Sequence, residues 1–113
     1  GKLEGGDNNC IALVCDVTSV ESVNTAITTV IEKFGRIDLV WNNAGYQGEI
    51  KPTLEYDPVD FARVMNINVT GMFLVLQACA KHMKDGGGSI VNTASVAGLR
   101  GTPAMVAYAS SKA

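Results

Sequence analysis

The chain has 113 residues, 47% of them apolar and 18% charged, with a net charge of −2. That length suits one small domain, and the composition is that of an ordinary globular protein rather than a disordered one. With no basic cluster, nucleic acid and anionic membrane surfaces are excluded as expected partners, and no unbroken apolar run reaches the roughly 18 residues of a membrane span.

Residues 1–9 are polar and glycine-rich and read as a loop. Cys10-Ile11-Ala12-Leu13-Val14-Cys15 is a short continuous apolar run, the pattern of a parallel strand buried on both faces, and it ends at Asp16. Thr18-Ser19-Val20-Glu21 has the form of a capping box, with Thr18 as N-cap and Glu21 reaching back. A helix follows, striped by Val20, Val23, Ile27, Val30, Ile31 and Phe34 and stopped at Gly35.

Ile37–Asn42 reads as a second buried strand, leading into Asn43-Ala44-Gly45 and a polar loop to about Tyr56. Asp57-Pro58 supplies an N-cap and an N1 proline for a long helix to about Met83, which Gly86-Gly87-Gly88 ends. Within it, Asn66-Ile67-Asn68-Val69-Thr70-Gly71 is a run of weak helix formers and predicts a local kink or an inserted water. Ser89–Thr93 is a third strand, closing at Ala94-Ser95, and a last helix begins near Ala107. Strands alternating with crossover helices require a parallel sheet and right-handed connections, hence an open α/β layer fold.

Cys10, Cys15 and Cys79 lie in or beside apolar runs without metal-ligand spacing and read as small buried hydrophobes in a reducing, cytoplasmic setting. His82 stands alone near a helix end, so no metal centre is expected. The chain starts at Gly1 and stops at Ala113 in what reads as the first turn of a helix, and no charged-then-apolar leader is present. The expectation is an internal piece of a longer domain.

Chemistry collects at the carboxyl ends of the expected strands. Asp16, Asn42-Asn43-Ala44-Gly45 and Ser95 would line one edge of the sheet, where parallel α/β sheets bind ligands. Tyr108 and Lys112 are four apart, on one helix face. An ammonium beside a phenol favours the phenolate, and such a tyrosine is a competent acid or base. From its strand end, Ser95 could bond the same substrate oxygen.

Asp16-Val17, Asn42-Asn43-Ala44-Gly45, Asn68-Val69-Thr70-Gly71, Ser95 and Tyr108-Ala109-Ser110-Ser111-Lys112, in this order and spacing, resemble the short-chain dehydrogenase/reductase family. The resemblance implies a Rossmann-like, doubly wound parallel sheet, of which 1–113 would be the central part of one NAD(P)-binding domain. It implies Tyr108 as the acid/base and Lys112 as the group that favours its phenolate and bonds the nicotinamide ribose. Ser95 would hold the substrate oxygen, and Asn68 would anchor a water between Lys112 and solvent. Asp16 and Val17 would meet the adenine, and Asn43, Ala44 and Gly45 would run beside the adenosine ribose. The cofactor is NAD or NADP, with NAD preferred.

Within the family, Asn43–Gly48, Phe61–Val64 and Ile90–Ser95 look most like polyol dehydrogenases of the xylitol type, with Tyr46, Gln47, Val96 and Ala97 as substrate-loop candidates. A 3-oxoacyl thioester reductase and a non-catalytic dinucleotide-binding scaffold are the alternatives. The family's glycine-rich turn, whose backbone amides hold the pyrophosphate, is absent from these residues. Phe73, Leu74, Val75 and Leu76 spread apolar surface around the long helix, and the resemblance implies that this helix pairs in homodimers or homotetramers.

Overall fold

The computed structural model describes residues 9–113. The expected loop at 1–9 therefore lies outside the described residues except for Asn9. The elements are α1 (Val20–Phe34), β1 (Leu39–Asn42), α2 (Pro58–Met65), α3 (Met72–Ala80), β2 (Ser89–Asn92) and α4 (Val106–Lys112), with short 3₁₀ turns at Thr53–Glu55 and Val96–Gly98.

α1 starts one residue later than the capping-box reading. Ser19, extended at φ −107 and ψ 117, is the N-cap and its Oγ accepts from the Ser22 N–H at 3.1 Å. Thr18 instead donates its N–H and its hydroxyl to Asp16 Oδ1, at 2.9 and 2.7 Å. A Thr-Ser pair offers two capping hydroxyls in succession, and the Asp16 carboxylate draws off the first. Gly35 ends the helix as expected, left-handed at φ 85, its N–H donating to the Ile31 carbonyl at 2.8 Å.

β1 and β2 pair in parallel, Leu39 opposite Ser89 through Asn42 opposite Asn92. The Thr93 N–H, donating to the Asn42 carbonyl at 3.1 Å, carries the ladder one residue further. Gly88 makes the entry into β2 possible: it sits at φ 152, and a Cβ there would lie 2.8 Å from the Asp38 carbonyl. The expected strand at Cys10–Cys15 does not form; these residues pair with no strand among the described ones. A strand needs a hydrogen-bonded neighbour, and an apolar run alone does not supply one. Consequently Cys15 and Val14 are exposed rather than buried, whereas Cys79 is buried and its thiol is pushed up by that burial.

Asp57 caps α2 through its side chain, accepting from the Val59 N–H at 2.9 Å, with Pro58 at the first position. Asn66–Gly71 then forms a π-helical stretch between α2 and α3, so Pro58–Ala80 is one continuous helix with a widened centre. The expected irregularity is thus a π segment, the form poor helix formers take where a side chain needs to be re-aimed. The helix ends at Ala80 rather than Met83, followed by turns through 86 that carry the exposed His82.

By length and composition this helix is apolar enough to cross a membrane. One face of it is tied to the sheet: Asn42 Nδ2, on β1, donates to the Met72 carbonyl at 2.9 Å and to Asn92 Oδ1 at 3.1 Å, fastening α3 to both strands. α1 packs beside α3, and α4 packs on α2. The tightest core positions are Val23, Val64 and Ala107. The other face of the sheet is bare. Leu39 and Trp41, alternate residues on one side of β1, are 65% and 71% exposed, and Val91 beside Trp41 is exposed too. An α/β sheet of this kind is stable with helices on both faces, and these residues provide helices for one.

Candidate active site

The carboxyl ends of β1 and β2 open into a cleft of about 370 Å³. Its floor is Thr93, one wall is Asn43, Gly45, Tyr46 and Gln47, and the other is Met105, Tyr108 and Lys112. Each wall has an identifiable support. The first wall is joined to the second at its far end, where the Lys51 N–H donates to the Ala104 carbonyl at 2.9 Å.

α4 places Tyr108 and Lys112 one turn apart, both half-buried. Lys112 Nζ lies 5.9 Å from the Tyr108 ring centroid and donates to the Thr93 carbonyl at 3.3 Å. The carbonyl at the end of β2 therefore holds the ammonium at the cleft floor. Thr93 was not foreseen as a site residue. Its hydroxyl accepts from Trp41 Nε1 at 2.9 Å and donates to Asn43 Oδ1 at 2.7 Å, tying the two strand ends together. The available signal is its position one residue past a strand end and two residues before Ser95.

Asn68, at the centre of the π segment, is 2% exposed. Its Oδ1 accepts from the Tyr46 N–H at 2.7 Å, and its Nδ2 donates to the Tyr46 carbonyl at 2.8 Å and to Ser111 Oγ at 2.9 Å. Ser111 Oγ in turn donates to the Tyr108 carbonyl at 2.8 Å. One carboxamide thus joins both walls, and the widened helix is what aims it there. Ser111, inside the Tyr-x-x-x-Lys span, was also missed as a structural partner. A Cβ on Gly45 would stand 3.5 Å from Asn68 Oδ1 and 3.8 Å from Lys112 Nζ, filling the strip in front of the ammonium.

The remaining expected residues stand elsewhere. Ser95 does not line this cleft; its Oγ accepts from the Ala97 N–H at 3.2 Å and caps the Val96–Gly98 turn, which packs against α4. That role uses the oxygen as an acceptor and leaves the hydroxyl proton to donate. Gly98 lies directly against the Lys112 carbonyl, where a side chain would collide. Asp16 and Val17 are also outside the cleft. Hydrogen bonds from Thr18 hold the exposed Asp16 carboxyl below its ordinary range, and Val17 covers Gly71, where a Cβ would approach Val17 Cγ2 to 2.7 Å. Ala44 is exposed between Asn43 and Gly45.

Residues 2–113 match the family model described as short chain dehydrogenase. The chain is 40% identical over 107 residues to levodione reductase of Leifsonia aquatica, covering 94% of this chain and 40% of that protein. It is 45% identical over 100 residues to 2-(R)-hydroxypropyl-CoM dehydrogenase of Xanthobacter autotrophicus, covering 86% of this chain and 40% of the relative. Among solved structures, NAD+-bound xylitol dehydrogenase is 53% identical and superposes with a TM-score of 0.85 over 88% of this chain and 38% of that one. The chain thus spans about two fifths of the length of these relatives. Its parallel strands and crossover helices are a part of their Rossmann-like fold, and the chain belongs to the short chain dehydrogenase family.

Proposed function

We propose that these residues carry the proton-transfer centre of an NAD- or NADP-dependent oxidoreductase that interconverts a secondary alcohol and a ketone. The observation that carries this reading is Tyr108 and Lys112 on one wall of a cleft at the strand ends, the ammonium 5.9 Å from the phenol ring. Tyr108 takes the substrate hydroxyl proton during oxidation and returns it during reduction. Ser95 does not line the cleft, and its part in this reading rests on the family resemblance: its hydroxyl proton, left free by the Ala97 cap, would hold the substrate oxygen.

The cleft suits the nicotinamide end of such a cofactor. Gly45 leaves a strip in front of Lys112 that a side chain would fill, and Lys112 spends one of its three donors on Thr93. Lys112 would bond the nicotinamide ribose, Asn43, Ala44 and Gly45 would follow the adenosine side, and Asp16 and Val17 would meet the adenine. When bound, the cofactor supplies the hydride chemistry, accepting two electrons and a proton equivalent from the substrate carbon. The chain's own work is positioning and proton traffic, with Asn68 keeping Tyr46 and α4 in register.

The 53% identity to xylitol dehydrogenase supports a sugar alcohol as substrate, and turnover of a small panel of polyols and acyl thioesters by the complete protein tests it. Replacing Tyr108 by Phe in that protein should abolish turnover while cofactor binding persists; unchanged turnover would remove Tyr108 from the mechanism. Assembly belongs to the same reading: Val69 and Phe73, four apart on the long helix, are both exposed and apolar, a surface suited to a second copy in a homodimer or homotetramer.

A further inference from the structure

Asp60 sits in the first turn of α2, where an acidic residue is ordinarily a solvated complement to the helix dipole. Here it is buried. Its Oδ1 accepts from the Tyr46 phenol at 3.0 Å, and its Oδ2 accepts from the Glu49 N–H at 2.9 Å and from the Tyr56 phenol. Three donors from the 46–56 loop therefore converge on one carboxylate, which they hold below its ordinary range. The loop is drawn so close that Gly48, at φ 77, would collide through a Cβ with Val64, Tyr56 and Asp60.

The consequence reaches the cleft through Tyr46. Its backbone N–H and carbonyl are both held by Asn68, its ring lies 4.7 Å from the Arg63 guanidinium, and its phenol ends on Asp60. Tyr46 and its neighbour Gln47 form the wall opposite Tyr108, and Gln47 Nε2 reaches across to Met105 Sδ at 4.0 Å. A thioether is a weak acceptor, so this amide keeps its hydrogen-bonding capacity for a polar group in the cleft.

We infer that Asp60 is a positioning residue for substrate: by anchoring the Tyr46 phenol and the Glu49 amide, it fixes the wall on which the Tyr46 ring and the Gln47 amide meet the substrate. This rests on the proposed oxidoreductase activity but assigns Asp60 no part in proton transfer. A wall held only at its backbone would still form, with its side chains free to swing, so the loss falls on substrate recognition.

The test uses the complete protein with Asp60→Ala, Asp60→Asn, Tyr46→Phe and the Asp60→Ala/Tyr46→Phe double variant. Removing a hydrogen bond to a charged group is expected to raise the substrate KM about tenfold in Asp60→Ala and in Tyr46→Phe. The cofactor KM and the pH dependence of kcat should stay in place. Asp60→Asn should fall between, because its amide can turn one oxygen to Tyr56 and Glu49 and donate to Tyr46. The double variant should be no worse than the poorer single variant, since both break one link. Hydrogen exchange at the Glu49 amide should quicken in Asp60→Ala. An unchanged substrate KM with only a lower melting temperature, or effects that multiply in the double variant, would overturn the inference. If the unmodified protein turns over no alcohol or ketone, the oxidoreductase reading falls, and Glu49 exchange still decides whether Asp60 holds the wall.

Discussion

The carboxamide of Asn68 offers the sharpest quantitative test of how the site is assembled. Asn68→Ala removes three hydrogen bonds of 2.7, 2.8 and 2.9 Å at a position 2% exposed. A net contribution of about 1 kcal/mol each gives a loss of about 3 kcal/mol. The partners soften this only partly, because Tyr46 and Ser111 are half-buried and water can reach some of their freed groups. Against a typical total of about 5–15 kcal/mol, that is a large fraction. In urea unfolding of the complete protein, with a slope of about 1–3 kcal/mol per molar, the midpoint should fall by about 1 M or more at constant slope. Asn68→Asp keeps the acceptor for the Tyr46 N–H but faces a carboxylate oxygen toward the Tyr46 carbonyl, so it should be no better than Ala. A midpoint within about 0.2 M of the parent for Asn68→Ala would refute the idea that this side chain braces both walls.

Other perturbations probe the fold and the loop. Gly88→Ala should cost about 1–3 kcal/mol, because it combines a left-handed backbone with a Cβ 2.8 Å from the Asp38 carbonyl; thermal unfolding measures it, and a neutral result would mean the turn can move aside. The Tyr56 phenol is pushed up to about 12 from 10.0, first by burial and then by its hydrogen bond to Asp60. A raised folded value means stability that is complete below the unfolded value and lost as pH climbs from about 10 to about 12. The stability advantage of the parent over Tyr56→Phe should therefore shrink across that interval, and a constant gap in denaturation curves would count against it. Light scattering on the complete protein should find a dimer or tetramer, and Phe73→Lys should weaken it; a clean monomer removes the helix-pairing proposal.

Much of this architecture is local and could be read directly. Asp57-Pro58 starts a helix because a carboxylate and a fixed φ suit its first turn, Gly35 stops one because it adopts φ 85 without strain, and the glycines before Ser89 let β2 begin against Asp38. The poor helix formers at 66–71 announced an irregularity, and Tyr108 with Lys112 announced a shared helix face. The failures are of another kind. Cys10–Cys15 has the composition of a buried strand, yet a strand exists only with a neighbour to share its hydrogen bonds, and no residue within the run specifies one. Thr93 and Asp60 look like ordinary strand-end and helix-start residues, and they became hubs because residues far along the chain bring donors and acceptors to them. Side-chain type and spacing settle where helices and turns begin and end, since those energies arise within a few residues. Which buried oxygen meets which N–H is decided by packing, because that partner comes from another part of the chain.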